Sequence, residues 1–390
     1  MKRVAANPFI IIAAVFLLSS ALYLLGWSTI YPNLTPENIL PIIFFVALNA
    51  VAAFFWDHLK LYSIGFGVES RLQKVRFDRI GILGIVLILF ELAIYGVPLL
   101  GQIAYSDFGA PIIHVLAVSA LHVAVIYHSW AFVHKKSKFG RNYLIIFFIL
   151  AMLILNRFLL LFMAISFVFS YVCKPGFKTK QFLFFIFFSV SVLVLFGELG
   201  IIRMAMIADM DYSQARNYIL EAGFASERYK DKGYPVSFYW VWLYITSPIS
   251  NFVYNIENSS GAYSLFKLPN VFLSEILPQT ISKRLISAFE INHLEVKLIV
   301  PHLNVSTSLA AVYNGGWLVG IFFYFSYYTF LFFYLALTFN GVVKTVLISF
   351  FSILSMFLVF HNVFKMPIFL FSIFLLLSLK FTLRKSFVAK

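Results

Sequence analysis

One cysteine, Cys173, stands among 390 residues. A lone thiol forms no intramolecular bridge, so a disulfide scaffold is excluded and the redox compartment is not encoded. Charge is scarce as well: Asp, Glu, Lys and Arg make up 12% of the chain, against about a quarter in soluble domains. Acids are the scarcer sign, 16 against 30 bases. No glycine-rich phosphate loop, His-x-x-x-His pair, cysteine cluster or Gly-x-Ser-x-Gly occurs. Soluble-type nucleotide and hydrolase chemistry therefore has no support. What is abundant is apolar: 62% hydrophobic residues, 48 of them Phe. That composition reads as an all-α, polytopic integral membrane protein.

The formal net charge of +14 could suggest nucleic acid. Its distribution argues otherwise. Residues 200–301 hold nine Asp/Glu and nine Lys/Arg, so the whole excess lies in short turns between apolar runs. That is a topology signal rather than a nucleic-acid footprint.

Windows of about 20 apolar residues predict about ten transmembrane spans. The first four are Pro8–Trp27, Asn38–Trp56, Ile80–Pro98 and Ala110–Phe132. The run from Tyr143 to Cys173 is too long for one span and is split by Asn156-Arg157 into two short ones. Phe182–Gly200, Gly315–Thr338, Thr345–Phe360 and Met366–Phe381 complete the set. No small-residue cleavage site follows the first span, which reads as retained. The chain thus divides into 1–199 (spans one to seven), a large loop at 200–301, and 302–390 (three spans and a tail). Short segments on the side of the termini hold 19 Lys/Arg, and those on the other side hold two, Arg157 and Lys365. The positive-inside bias then makes both termini cytoplasmic and turns the large loop outward. Its aromatic stretch Tyr234–Ile256, interrupted by Pro235 and Pro248, reads as an interfacial segment with Trp240, Trp242 and Tyr244 at headgroup level.

Candidate chemistry gathers at the ends of that loop. Arg203 and Arg157 both sit on the outer side against the positive-inside bias. Snorkelling is the simple reading; two guanidiniums at equal depth also suit a phosphate-bearing lipid headgroup, because the planar fork bonds phosphate bidentately. Lys365, Arg216 and Arg284 are further candidates for substrate contact, with solvated charge as their simple reading. Asp209-Met210-Asp211 has the Asp-x-Asp form of metal-dependent transferases, but a solvated loop start is the preferred reading, and no metal or other cofactor is expected. His302, where the loop re-enters the membrane, could accept a proton from a hydroxyl; His293 is a weaker version. Glu91 and His122 fall near mid-depth of spans three and four, and read as a structural pair, with His114 a lone bystander.

The chain resembles the oligosaccharide repeat unit polymerases, the O-antigen polymerase family, over residues from about 90 to 320. Tyr95-Gly96-Val97-Pro98-Leu99 is similar to the family's Gly-x-Pro-Leu. Asn156-Arg157 sits where the family has an Arg at the head of the sixth span, and Gly200-Ile201-Ile202-Arg203 resembles its Gly-x-x-Arg. Tyr244 to Phe252 resembles a loop motif with Pro followed by Asn. Asn304-Val305-Ser306-Thr307 and Tyr313 to Gly320 resemble the re-entry signature. The family's Asp-Phe-Gly is Asn314-Gly315-Gly316 here, and an Arg followed eleven positions later by Gly is missing.

The resemblance implies a bundle similar to GT-C-type membrane glycosyltransferases, at the outer face of the bacterial inner membrane. It implies transfer of a growing glycan from one undecaprenyl diphosphate to the sugar of another lipid-linked oligosaccharide in lipopolysaccharide or similar polysaccharide biosynthesis. A chain-length regulator protein would be a partner. Arg203 and Arg157 would stabilise the leaving diphosphate without metal. His302 would be the base, with Glu198 and Asp209 behind it, and Trp240 and Tyr244 would stack on sugar or cover the site. An O-antigen ligase, another polyprenyl-phosphate-dependent glycosyltransferase, or a flippase for the same lipid are the alternatives.

Overall fold

The structure is a computed structural model. It describes residues 2–62, 64–65, 71–104, 107–174, 176, 179–258, 267–289, 291, 294, 296–301, 303–305 and 307–388, with the side chains at 71, 157, 179–182, 186, 207 and 380–388 outside the description. The elements run α1 (Lys2–Ala5), α2 (Pro8–Tyr23), α3 (Pro36–His58), α4 (Arg71–Tyr95), α5 (Pro111–Lys135), α6 (Lys138–Leu153), α7 (Arg157–Val172), α8 (Thr179–Ala208), α9 (Tyr212–Ala222), α10 (Glu227–Lys230), α11 (Val236–Glu257), α12 (Leu268–Val271), a π-turn (Phe272–Ile276), α13 (Gln279–Ala288), α14 (Ser308–Thr338), α15 (Gly341–Phe357) and α16 (Pro367–Val388). Among the described residues the only β pairing is one bridge, Ser28 to Ala225.

Among the described residues five helices are long and apolar enough to cross a membrane: Pro36–His58, Leu72–Leu100, Pro111–Lys135, Leu183–Met206 and Ser308–Thr338. Shorter apolar helices stand beside them, Pro8–Tyr23, Phe158–Val172, Gly341–Phe357 and Pro367–Leu379. This is the build of a membrane-embedded protein. Helix starts follow local chemistry. Asn7 accepts from Phe9 and Ile10 N–H ahead of Pro8, and Thr35 and Asn38 form a reciprocal capping box. Asn156 caps α7 by accepting the Leu159 N–H at 3.1 Å. The two short helices of 143–173 therefore part at the polar pair, with Leu155 in a left-handed turn (φ 52°) between them.

Helix α5 is the axis of the bundle. It is buried almost continuously from Ala117 to Ala131 and packs on α4, α6, α7, α15 and α16. Its polar residues lie inside protein rather than lipid. Glu91, 1% exposed, joins α4 to the start of α5: it accepts the Ala110 N–H at 3.1 Å and lies 2.8 Å from His114 Nδ1. The partner is His114 and not His122, which instead stacks on Phe162 at 4.1 Å. The physical reason is depth. Helix α4 begins at Arg71, so Glu91 falls in its last turns, beside the N-terminal end of α5 where a carboxylate is favoured.

Residues 200–301 depart from a simple outward loop. Helix α8 does not stop at Gly200 but runs to Ala208, carrying Arg203 within it. The stretch read as an interfacial layer is helix α11, and it is packed rather than superficial. It lies against α2, α3, α8, α9 and α14. Its C-terminal half puts Ile249, Phe252 and Val253 into the main core. Its N-terminal half builds a second, smaller core with α9, α10 and the turn after α2, through Ile219, Tyr229, Tyr239 and Trp242. Tyr31 stacks on Trp242 there at 5.2 Å, and Trp27 packs against the same indole, tilted, at 5.5 Å. The bridge at Ser28 and the Ser226 N–H to Trp27 carbonyl bond (2.8 Å) fasten this core to the first turn. Aromatic composition reads alike for a headgroup layer and for a small core, which is why the sequence alone misplaces it.

Candidate functional site: a cation at the head of an apolar groove

The face of α8 that meets α11 is made by two small residues. A Cβ on Gly197 would lie 2.5 Å from the Ser237 carbonyl oxygen, and one on Gly200 would lie 2.1 Å from Trp240 Nε1. Gly200 is thus the seat of the Trp240 indole. Arg203 follows one turn later, half-buried. The Gly-x-x-Arg pattern therefore has two separable parts, a packing glycine and a cation.

Arg203 lines a cavity of about 390 Å³ together with Asn156, Tyr244, Phe158, Phe196 and Phe360. Among the described residues it is the one charge in that lining. Tyr244 stands edge-on to Phe196 at 5.3 Å and 5.5 Å from Trp240. The start of α7 faces the same space, since Asn156 and Phe158 both line it, and a helix N-terminus carries positive partial charge. Arg157 lies between them; its side chain is outside the described residues.

The cavity continues along the bundle. A second one, about 590 Å³, shares Leu161, Ile165, Leu193 and Met356 with the first and runs on past Phe169 and Val172 to Val4 and Ala5. Its lining is almost wholly aliphatic and aromatic. Together they form a groove beside the whole of α7, whose 16 residues span about 24 Å at the helical rise. Leu193, Phe196, Gly200 and Arg203 recur at three- and four-residue steps, one face of α8; that spacing is legible in the sequence and went unused. The contributions of Met356, Phe357 and Phe360 from the end of α15 carry no local signal.

Asn251 of the Tyr244–Phe252 motif and Asn255 beyond it are clamps. Asn251 donates to the Leu303 and Val305 carbonyls at 2.7 and 2.9 Å and accepts the Ile299 N–H at 3.1 Å. Asn255, one turn on, donates to the Lys297 carbonyl at 2.7 Å and accepts from Lys297 N–H and Asn314 Nδ2, each at 2.9 Å. The pair pins the irregular segment 297–305 to α11. Val300 and Leu303 of that segment share the second core with Ile201 of α8, so the two ends of the loop meet. His302 and His293 lie outside the described residues.

The remaining candidates sit elsewhere. Lys365 donates to Glu275 Oε1 at 3.0 Å and to the Ser274 carbonyl at 3.2 Å. Glu275 is 6% exposed and also takes the Asn362 amide at 2.8 Å. A buried carboxylate needs such a partner, and Lys365 is occupied as a pin between the turn after α15 and the π-turn. Arg216 is exposed on α9, its guanidinium 6.0 Å from the Tyr212 ring centre. Arg284 is exposed on α13, away from the groove lining. Asp211 caps α9, accepting the Gln214 N–H at 2.8 Å and the Ser213 hydroxyl at 2.9 Å; these bonds hold its carboxyl below the usual range. Asp209 is exposed, and Glu198 accepts a hydrogen bond from Tyr212 Oη, which raises the phenol above its ordinary value. The chain matches no family model, no curated protein and no solved structure in comparisons with each.

Proposed function

We propose that the chain is a membrane glycosyltransferase that polymerises undecaprenyl-diphosphate-linked oligosaccharide repeat units into O-antigen or a similar surface polysaccharide. The observation that carries the reading is Arg203, half-buried at the head of an apolar groove that follows the length of α7. An anionic headgroup with a long hydrocarbon tail complements that surface: the guanidinium takes phosphate oxygens, and the groove takes isoprenoid units. In this arrangement ten helices cross the bacterial inner membrane, both termini are cytoplasmic, and α9 to α13 lie on the periplasmic side.

The chemistry is a displacement at the anomeric carbon of the donor. The acceptor sugar hydroxyl forms the new glycosidic bond and gives up its proton. The bond between the anomeric carbon and the diphosphate oxygen breaks, and the lipid diphosphate leaves with the electron pair. Arg203, joined by Arg157 at the head of α7, neutralises the charge that develops on the diphosphate. His302 takes the proton. Tyr244, in the cavity lining, offers a ring face to the sugar.

The test is Arg203→Ala in a strain lacking the native gene, read on a lipopolysaccharide gel with protein level checked by immunoblot. Loss of a preorganised cation lowers turnover by about 10²–10³-fold, so single-repeat caps are expected in place of a ladder. Arg203→Lys restores it only in part, because an ammonium lacks the fork. A normal ladder from Arg203→Ala refutes the reading. A bare core from the gene deletion would instead favour a ligase or flippase.

A further inference from the structure

Lys283 and Arg284 stand on α13, a helix that the bundle holds by one side. Its chief contact is the π-turn. The face turned to the protein is narrow, since Ser282 and Ile286 are its buried residues, one turn apart. Beside that pair runs a second apolar stripe, Ile281, Leu285 and Ala288, at the i, i+4, i+7 spacing of one helix face. It is largely uncovered: Ile281 is 47% exposed, Ala288 is exposed and Leu285 half-buried. Phe289, which ends the helix, is 68% exposed. On a helix that crosses a bilayer such exposure is ordinary. On a ten-residue helix at the end of the bundle it marks a surface that something else covers.

The level of α13 identifies the cover. Helix α12 sits on the paired glycines of α14: a Cβ on Gly315 would lie 2.4 Å from the Val271 side chain, and one on Gly316 would lie 2.7 Å from that of Leu268. Trp317 follows at once and is exposed, as are Val319, Phe322 and Phe323 beyond it. Tryptophan favours the boundary between hydrocarbon and headgroups, and the phenylalanines continue as the wall that lipid covers. The chain passes from α12 through the π-turn, where Phe272 is exposed, and reaches α13 after Leu277-Pro278. Helix α13 therefore starts at the rim of that wall. Its charge is of one sign. Glu275 before it is buried and paired with Lys365, and Glu290 after it lies outside the described residues. Between them stand Lys283 and Arg284, both exposed, and no acid. We propose that α13 is a docking surface for anionic phospholipid. It lies in the headgroup layer of the adjoining leaflet, with Ile281, Leu285 and Ala288 toward the acyl chains. Arg284, three residues after Ile281 and four before Ala288, borders the stripe; its stem follows the apolar face and its guanidinium takes lipid phosphate. Lys283 adds attraction to the anionic surface. The docked helix holds the π-turn, and with it the Glu275–Lys365 pair, against the membrane. This surface is separate from the groove at Arg203 and does not depend on glycosyl transfer.

The experiment uses the full chain in nanodiscs of phosphatidylcholine with and without phosphatidylglycerol. An environment-sensitive fluorophore is attached through Ile281→Cys, Ala288→Cys, Gln279→Cys or Ser287→Cys, all at exposed positions where a label disturbs little packing. The wild type, whose Cys173 is buried, serves as the blank. One quencher is a lipid nitroxide near the headgroup end of the acyl chain, and the other is aqueous iodide. At positions 281 and 288 the nitroxide should quench several-fold more than iodide, and at 279 and 287 the reverse should hold. Phosphatidylglycerol should strengthen lipid quenching at 281, and K283A/R284A should lose that gain. Equal access of iodide to all four positions overturns the proposal in favour of a solvated helix. Shielding of 281 and 288 from both quenchers overturns it in favour of a protein partner or a second copy. Lipid quenching that ignores both phosphatidylglycerol and K283A/R284A overturns the anionic assignment.

Discussion

Replacing Asn255 with Ala should release the segment that leads back into α14 while leaving the bundle folded. Asn255 is 2% exposed. Its amide donates to the Asn251 and Lys297 carbonyls at 2.6 and 2.7 Å, and its carbonyl accepts from Lys297 N–H and Asn314 Nδ2 at 2.9 Å. Alanine strips the Lys297 backbone of both partners and leaves the Asn314 amide without its acceptor. Each buried polar group left unpaired costs about 1–3 kcal/mol. Lys297 is exposed, so water recovers part of that, and about 2–3 kcal/mol remains. The penalty falls on local opening of 297–305 rather than on global unfolding. At 1.4 kcal/mol per decade, the open fraction rises about 30–150-fold. Trypsin cleavage after Lys297 reads that fraction directly when reclosing outpaces cleavage, with cleavage at the exposed Lys232 as the internal standard. Asn255→Asp keeps the two acceptor bonds but sets a buried carboxylate against the Asn251 and Lys297 carbonyls, so it should open the segment at least as far as alanine. Under the proposed function, glycan polymerisation should also fall in Asn255→Ala, because His302 belongs to that stretch of sequence. Equal cleavage rates at Lys297 in wild type and Asn255→Ala would refute the clamp.

Two further outcomes follow from the packing and the caps. Gly200→Ala places a methyl group 2.1 Å from Trp240 Nε1, which should destabilise by about 1–3 kcal/mol as overpacking; in a Trp240→Ala background the same substitution should cost much less, as thermal unfolding of the single and double variants will tell. The Asp211 cap stabilises α9 above the unfolded carboxyl pKa, about 3.9, and that contribution is lost as pH falls through the lower folded value. Amide exchange in 212–222, corrected for intrinsic rates, should therefore accelerate on acidification in wild type and stay flat in Asp211→Asn, which caps without titrating.

Much of the scaffold was legible from end to end. Apolar runs of sufficient length, capped by Asn7, Thr35 and Asn156, mark helices whatever surrounds them. The split of 143–173 at Asn156-Arg157 is an example: a side chain that caps its own backbone needs no tertiary partner. The cation at Arg203 also stood out by charge alone, since it directly follows a long apolar run and departs from the bias expected of the basic residues. Partners were less legible. Glu91 could be expected to seek a histidine, but the choice between His114 and His122 depends on the register of α4 against α5. Lys365 stood out by the same bias as Arg203, yet Glu275 lies 90 residues away in sequence and occupies it.

What the sequence by itself determined is therefore an apolar helical bundle, its punctuation, and an unusual arginine. Only the tertiary structure decided that α11 is packed into the bundle, that its asparagines clamp the segment 297–305, and that Arg203 lines a groove between helices. The reason is physical. In a membrane-embedded chain the surface that meets hydrocarbon and the surface that meets another helix are both apolar, so periodicity loses its power to say which face is which. A groove between helices is made of the same residues as a lipid-facing wall, and only the packing tells them apart.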